Sequence, residues 1–233
     1  MNTFSHSLEA IGFVVSPYKQ KFGIARQPGL VPASKIVLQL LPQYSADCVR
    51  GLEGFSHVWL QFVFHGVVDE GWAPLVRPPR LGGKQKMGVF ATRSPHRPNH
   101  LGLSLLKLEG VESGKNVCLH LSGADLLDGT PVVDIKPYIP FVEAKTDALS
   151  HYIDGPPPLL QVSWSPKAQA SAKAYGLDAD FLLLAEQSIA QDPRPAYQDL
   201  PQRVYVMQLA DMDIAFQITE GEALIVDIDK SAS

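Results

Sequence analysis

Apolar and polar residues alternate in short runs along the first 140 residues, and this pattern predicts β-strands rather than helices. Segments rich in Val, Phe, Leu and Ile give six candidate strands: Ile11–Val15, Ile36–Leu41, Val58–Phe64, Met87–Thr92, Leu101–Leu108 and Val117–Leu121. Turns containing proline or glycine separate them, and no amphipathic helix of three turns precedes residue 140, although residues 43–55 could hold a short one. Short strands with long connections indicate a mainly β fold, either a barrel or a sandwich.

The pattern changes after residue 150. Residues 150–158 read SHYIDGPPP, and three consecutive prolines cannot continue a helix or a central strand. Beyond them, Pro166–Ile189 predicts a helix or a pair of helices, and three short strands joined by tight turns follow. One helical face would carry Phe181, Leu184, Ala185 and Ile189. We therefore predict a β domain over residues 1–150 and a small α+β domain over residues 157–233.

The charge of the chain is distributed unevenly. Its 233 residues are 45% hydrophobic and 19% charged, with a formal net charge of −4, which is typical of a soluble globular protein. Between Gly71 and Leu108, however, seven Lys and Arg residues occur without a single Asp or Glu. A block of one sign produces a local field that the net charge conceals. Because this block also contains rigid prolines and glycines, an ordered surface for an anion is an alternative to a solvated basic loop.

Other features bear on the compartment. No apolar run approaches the roughly 20 residues needed to span a bilayer, and the first ten residues lack the pattern of a secretory signal. Cys48 and Cys118 lie far apart without the spacing of a zinc site, so we expect two buried thiols. These features predict a cytoplasmic protein.

Several common sites are excluded by their missing motifs. The chain has no G-x-G-x-x-G, no G-x-x-x-x-G-K-[ST] and no G-x-S-x-G, so it carries no Rossmann dinucleotide loop, no P-loop and no serine nucleophile elbow. His96 and His100 are four residues apart, as zinc ligands on a helix would be, but Pro98 between them breaks that geometry. We therefore expect no metal site.

The most unusual stretch lies between the predicted strands Gly88–Thr92 and Leu101–Glu109. This hairpin connection holds two arginines, two histidines and two prolines, which is more cationic and hydrogen-bonding chemistry than a turn needs. Three further stretches could carry function: ARQPG at residues 25–29, FVFH at 62–65 and GADLLDGTPVVDIKPYIPF at 123–141. Each alone could be an ordinary turn or a structural hydrogen-bonding group.

Together these stretches are similar to those of a known family. Five segments of the sequence resemble those of the TsaA-like family called TrmO. They are SPYKQKFGIARQPGL, VRGLEGFSHVWLQFVFH, VRPPRLGGKQKMGVFATRSPHRPNHLGLS, LLDGTPVVDIKPYIPF and AQDPRPAY. The match runs through nearly all of residues 8–142 and recurs at 191–197. One departure is RPNH, where the family more usually reads R-P-N-P, so that His100 replaces a proline.

The resemblance implies a fold and a reaction. It implies a β-barrel that is not of the Rossmann type, S-adenosylmethionine as methyl donor, and a homodimer with the donor near its interface. The acceptor would be the exocyclic nitrogen of N6-threonylcarbamoyladenosine, immediately 3′ of the tRNA anticodon (position 37). The domain over residues 1–150 would bind the donor, and the small domain over residues 157–233 would contact the tRNA. No membrane partner is implied.

The resemblance also implies donor-binding residues, which are Arg26, Gln27, Pro28, Phe64, His65, Arg93, Leu103, Asp125, Leu126, Leu127 and Asp128. An arginine suits the donor carboxylate, because its planar fork makes paired hydrogen bonds. Asp125 or Asp128 suits the ammonium or the ribose hydroxyls, and Leu103 and Phe64 can cover the adenine. Arg97 and Asn99, held between prolines, would stiffen their loop or reach a ligand.

Methylation of an amine also releases a proton, and tRNA needs cationic contacts. The candidates to accept that proton or orient the amine are Asp134, Tyr138 and Asp192, although water could also take the proton. The candidate tRNA contacts are Arg77, Arg80, Lys84, Lys86, Arg97, Arg194 and Tyr197, facing the anticodon stem-loop. Residues 192–197 could equally be a linker that ends a helix.

Two alternatives remain open: a non-catalytic RNA-binding module that keeps the donor pocket, and a methyltransferase with another acceptor. The acid-free basic block argues against a small neutral acceptor. The enzymatic interpretation requires that Thr92–Ser104 and Gly123–Thr130 close on a single cavity.

Overall fold

The computed structural model describes residues 4–82, 84–153, 155–194 and 203–232. The strands of its first part are β1 (Gly12–Val15), β2 (Lys35–Leu40), β3 (His57–Val63), β4 (Leu75–Val76), β5 (Met87–Gly88), β6 (Leu101–Ser113), β7 (Val117–Ser122) and β8 (Pro131–Pro137). Six of them form a closed barrel in the order β1-β2-β7-β6-β3-β8, and every neighbouring pair is antiparallel. The predicted mainly β fold with a barrel is confirmed.

The interior of the barrel follows from the two-residue period of its strands. Every second side chain of β2, β3 and the first half of β6 points inward, where aliphatic residues exclude water. The fully buried side chains of the interior include Leu38, Leu60 and Leu106 of these strands and Leu119 and Leu121 of β7. Each such side chain stabilises the fold by about 1.5–3 kcal/mol relative to an exposed one. The inside of the barrel is therefore a packed apolar core.

The outer face of β3 is set by the pairing register. Gln61 lies opposite Leu103 of β6 and Asp134 of β8, and Trp59 lies opposite Lys136 of β8. A β-bulge between Gln61 and Phe62 allows Asp134 to stay on this outer face while Val132 faces the core. The register thus gathers polar and aromatic side chains into one patch outside the barrel.

The last part of the chain forms a second layer. It contains the helices α2 (Pro166–Ala174) and α3 (Ala179–Ala190), after the short α1 (Pro140–Glu143), and the strands β9 (Gln161–Trp164), β10 (Tyr205–Leu209), β11 (Met212–Thr219) and β12 (Glu222–Lys230). Ser165 and Asp178 cap α2 and α3 by accepting hydrogen bonds from backbone N–H groups. The sheet order is β10-β11-β12-β9. The predicted helix pair and three-strand meander are confirmed, whereas β9, parallel to β12, was missed.

A segment between β1 and β2, residues 17–34, belongs to the core of this second layer; we call it the junction segment. Tyr18 and Val31 are fully buried among side chains of α3 and β10–β12. The Tyr18 hydroxyl lies 3.2 Å from Ser188 Oγ, and burial raises its pKa above the ordinary value. Gln191 Nε2 donates to the Leu30 carbonyl at 2.9 Å. The division of the chain near residues 150–157 remains a prediction, since the earlier part contributes to both cores.

The structure corrects three sequence predictions. Met87–Thr92 is not a strand, because only Met87–Gly88 pairs, with Leu75–Val76, and a 3₁₀ turn follows in which Thr92 Oγ1 donates to the Val89 carbonyl. The stretch before Leu101 is therefore not a hairpin connection, and β6 pairs with β3 and β7 instead. The missing sixth barrel strand is β8.

The third correction concerns the cysteines. Cys48 is exposed, because it lies in the 3₁₀ helix Ala46–Val49, of which only Val49 is buried. Cys118 is half-buried on β7. Neither cysteine forms a disulfide.

We predict that Gly102→Ala lowers the free energy of unfolding by about 1–3 kcal/mol. A Cβ at Gly102 would lie 2.3 Å from the buried Phe62 ring, which is itself packed edge-to-face against Phe64. Chemical denaturation measures the change. Gly110→Ala on the same strand is the control, since a Cβ there meets no atom within 4 Å. Equal losses in both variants would contradict the argument.

Candidate functional site

A cavity of about 1180 Å³ begins where β3 ends and β6 starts, and extends over the outer face of β3. The junction segment, the loop after β3, residues 93–97, the turn after β7 and the region of α1 all contribute to its wall. The structure thus brings Thr92–Ser104 and Gly123–Thr130 to one cavity, as the enzymatic interpretation required.

Asp125 is the carboxylate at the inner end of this cavity. Ser104 Oγ donates to Asp125 Oδ1 at 2.7 Å. Loss of hydrating water raises the pKa of the Asp125 carboxyl to about 6, while the Ser104 hydrogen bond and the charge of Arg93 act in the opposite direction. Asp125 is therefore a carboxylate whose ionised form is disfavoured by burial and favoured by the nearby Arg93.

A chain of hydrogen bonds links the basic loop to the second layer. Arg93 Nη1 donates to Gln27 Oε1 at 2.5 Å, and Gln27 Nε2 donates to the Arg26 carbonyl at 2.5 Å. Arg26 Nη2 donates to the carbonyls of Asp192 at 3.2 Å and Arg194 at 3.3 Å. The turn at residues 26–28 is therefore held by hydrogen bonds to the basic loop on one side and to residues 192–194 on the other.

Ten of the eleven predicted donor-binding residues line the cavity: Arg26, Gln27, Pro28, Phe64, His65, Arg93, Leu103, Asp125, Leu126 and Leu127. Asp128 does not. Its carboxylate lies 2.7 Å from Lys19 Nζ and accepts a hydrogen bond from the Ser16 N–H at 2.8 Å. Asp128 thus fixes the turn against the end of β1.

The predicted proton acceptors lie beside the cavity rather than in its wall. Asp134 Oδ2 accepts from Gln61 Nε2 at 3.2 Å, and the Tyr138 ring packs edge-to-face against Trp59 at 6.1 Å. Asp192 forms an ion pair with Arg194 at 2.8 Å. Asp134 and Tyr138 therefore reach the cavity through a neighbouring side chain, and Asp192 through its carbonyl bond to Arg26.

The predicted tRNA contacts are spread more widely. Arg97 lines the cavity and donates to the carbonyls of Thr92 and Ser94. Arg77, Lys84 and Lys86 are exposed around the β4–β5 ribbon. The Arg80 side chain and the whole of Tyr197 lie outside the described part of the chain, and Arg194 is paired with Asp192.

The sequence predictions missed one side of the cavity wall, which includes Trp59, Gln61, Lys136, Val142, Glu143 and Lys145. Alternation along β3 is a signal that Trp59 and Gln61 share a face. The register that adds Lys136 depends on β8, which was not recognised. In the described residues, no group of three or more His, Cys, Asp and Glu side chains is arranged to hold a metal ion. None of the helices in the described part of the chain is long and apolar enough to cross a bilayer.

Two models of known protein families match this chain. The model of the tRNA-methyltransferase O N-terminal domain matches residues 13–144, and that of the TrmO C-terminal domain matches residues 157–231. The chain belongs to the TrmO family.

Relatives within the TrmO family are similar over most of their length. A tRNA (adenine(37)-N6)-methyltransferase of Eikenella corrodens is 63% identical over 171 residues, which are 73% of this chain and 95% of the relative. A Pseudomonas aeruginosa protein, provisionally named an S-adenosylmethionine-dependent methyltransferase, is 49% identical over 214 residues, 90% of this chain and 91% of that protein. A crystal structure of TrmO from Pseudomonas aeruginosa has a TM-score of 0.83 at 41% identity, covering 98% of this chain and 99% of that one.

We predict that the free energy of unfolding of Asp125→Asn, relative to that of the wild type, increases by about 1–2 kcal/mol as the pH rises from 5 to 7.5. The folded carboxyl keeps its proton up to a pKa of about 6, whereas the unfolded one loses it near 3.8. Its contribution to stability therefore falls as the pH rises between these values, and the amide lacks this effect.

Denaturant unfolding at several pH values measures this difference. The exposed Asp147→Asn is the control for the removal of one carboxylate at a site outside the cavity. A constant difference between wild type and Asp125→Asn across the range would contradict the prediction.

Proposed function

We propose that this protein transfers a methyl group from S-adenosylmethionine to the exocyclic N6 of adenosine 37 in tRNA. Relatives named for this activity support the reaction, and a relative named for S-adenosylmethionine supports the donor. The observation that carries the proposal is the cavity itself, in which the Asp125 carboxylate faces the basic loop and the turn at residues 26–28. A nucleotide-sized cation with a carboxylate of its own is complementary to this arrangement.

The residues at the Asp125 end fit the donor chemically. Asp125 would hold the ammonium, and the remaining N–H groups of Arg93 would bind the carboxylate. Leu103, Leu126 and Phe64 offer apolar surface for the adenine ring. When bound, the donor supplies a methyl group on a positively charged sulfur.

The protein contributes to the reaction by positioning the reactants and by excluding water from the site. The hydrogen-bonded turn at residues 26–28 fixes one wall of the cavity in advance, so less ordering is needed when ligands bind. Apolar residues around the inner end exclude water from the site of displacement. The acceptor nitrogen exchanges one hydrogen for the methyl group, so one proton must leave. Asp134, Tyr138 and Asp192 remain proposals for that step, beside water.

The finer description of the acceptor and the assembly is also a proposal. The acceptor adenosine would carry N6-threonylcarbamoyl, and the enzyme would act in the cytoplasm as a homodimer. Support for the dimer comes from apolar side chains beside the cavity, where Phe141 is 88% exposed and Val142 is 50% exposed. Light scattering of the purified protein measures the mass of the assembly.

The decisive test compares tRNA nucleosides from cells with and without this protein by mass spectrometry. We expect loss of the N6-methylated form of threonylcarbamoyladenosine and accumulation of its unmethylated precursor. Purified protein with donor and tRNA should restore the mark. Donor binding without any methylated nucleoside would favour the non-catalytic RNA-binding alternative, and methylation of something other than tRNA would favour the other-acceptor alternative.

Salt dependence tests the contribution of the basic ribbon. Val76 pairs with Met87, so Arg77 and Lys86 lie opposite each other at the next position of the β4–β5 ribbon. We predict that Arg77→Ala with Lys86→Ala weakens tRNA binding and reduces the slope of log affinity against log salt by about 2, since each phosphate contact contributes about 1.

Filter binding across salt concentrations measures this slope, and calorimetry should find donor affinity unchanged. The control is Lys115→Ala with Lys173→Ala, two exposed lysines outside the ribbon. An equal loss of slope in the control would show that the effect is one of total charge only.

A further inference from the structure

The cavity is larger than one small ligand requires. Its volume of about 1180 Å³ exceeds the range of roughly 300–1,000 Å³ that is usual for a small-molecule site. The Asp125 end accounts for one ligand. The opposite end is walled by the outer face of β3 and β8 and by the region of α1, and the donor chemistry leaves it unassigned.

Trp59 forms the rigid element of this second end. Its indole Nε1 donates to Glu143 Oε2 at 2.9 Å, and the same carboxylate oxygen accepts from the Ile139 N–H at 3.2 Å. The Tyr138 ring supports the indole edge-to-face, with ring centres 6.1 Å apart. A half-buried aromatic ring that is fixed at its edge and lines a cavity is suited to stack on another flat ring.

Two lysines flank this indole. Lys136 lies directly opposite Trp59 in the β3–β8 pairing, and Lys145 follows α1. Both side chains line the cavity, and neither forms an ion pair with a carboxylate in the described ranges. Glu143 Oε2 accepts the hydrogen bonds from Trp59 and Ile139, and in the described ranges the Glu143 carboxylate forms no ion pair with either lysine. This end therefore joins a flat apolar surface to two lysines that are not held in ion pairs, and with two ammonium groups against the one Glu143 carboxylate its charge is positive.

We propose that this end is the acceptor subsite, in which Trp59 stacks on the purine while Lys136 and Lys145 bind an anionic group attached to it. The inference rests on the proposed function. A base 3′ of the anticodon is unpaired and can be turned out of the loop into such a pocket. The threonylcarbamoyl substituent carries a carboxylate next to the reacting nitrogen, so we assign the lysines to that carboxylate. A backbone phosphate would satisfy the same chemistry.

The assignment makes Lys136 and Lys145 residues of acceptor specificity. A hydrogen bond to a charged group is stronger than one between neutral groups, so an acceptor whose carboxylate is neutralised should lose this contribution. A phosphate contact, by contrast, would be the same for both acceptors.

The experiment compares two full-length tRNAs that differ only in the substituent of adenosine 37, which carries either the free carboxylate or its neutral methyl ester. We expect the wild-type protein to prefer the free acid by about 10- to 100-fold in kcat/KM. In Lys136→Met with Lys145→Met, kcat/KM for the free acid should fall to the level of the ester, while kcat/KM for the ester changes less than about twofold.

Two further variants complete the comparison. Lys107→Met is the control on the same barrel face, because Lys107 pairs with Glu109 at 3.0 Å and lies outside the cavity wall. It should keep the wild-type preference. Trp59→Leu should raise KM for both tRNAs and leave the donor dissociation constant unchanged.

The outcomes separate the subsite from the function. Equal losses on acid and ester in the lysine variant would mean that the lysines bind a phosphate, and would overturn the carboxylate assignment. An unchanged preference in that variant would overturn the subsite, while methylation by the wild type would still support the proposed function. A wild-type protein that methylates neither tRNA would overturn both.

Discussion

The constraint on which the site depends is that one stretch of chain serves two cores. The junction segment connects two barrel strands, yet Tyr18 and Val31 are buried in the second layer. The Ala33 N–H donates a hydrogen bond to Gln187 Oε1 and Gln191 Nε2 donates one to the Leu30 carbonyl, so the α3 region fixes the backbone of the segment. Because the turn at residues 26–28 lies within this segment, the geometry of the cavity depends on packing that occurs outside the barrel. The second layer is therefore part of the construction of the site.

The hydrogen-bond chain through Arg26 extends that dependence. Its guanidinium contacts the backbone carbonyls of Asp192 and Arg194, and Gln27 contacts Arg93 in the basic loop. A change in the position of residues 192–194 would thus alter the position of the turn at residues 26–28 and of Arg93. An arginine suits this task better than a lysine, since its planar group can donate to two carbonyls at fixed angles. Arg26 therefore acts mainly as a positioning residue in this structure.

Sequence patterns were sufficient to predict most of the barrel strands, but they could not predict features that depend on how the strands pair. Alternation located β1, β2, β3, β6 and β7, because each repeats apolar residues at every second position. It missed β8, whose terminal prolines and internal Asp134 hide a strand that a β-bulge makes compatible with the barrel. The donor-side residues lie in short contiguous motifs and were identified. Lys136 and Lys145 lie far from Trp59 in sequence, so only strand pairing and the position of α1 reveal their proximity.

The partly buried Asp125 shows why such a site need not be optimal for stability. Its carboxylate has Ser104 as hydrogen-bond donor and Arg93 as a nearby charge, yet its pKa remains raised to about 6, which means that the folded protein disfavours the ionised form. A cationic group of a ligand placed beside Asp125 would favour the ionised form, because its charge would add to that of Arg93 and offset the lost hydration. Binding of a cation would thus offset the cost of keeping Asp125 ionised at neutral pH. The position of Asp125 is therefore better explained by ligand binding than by a contribution to folding.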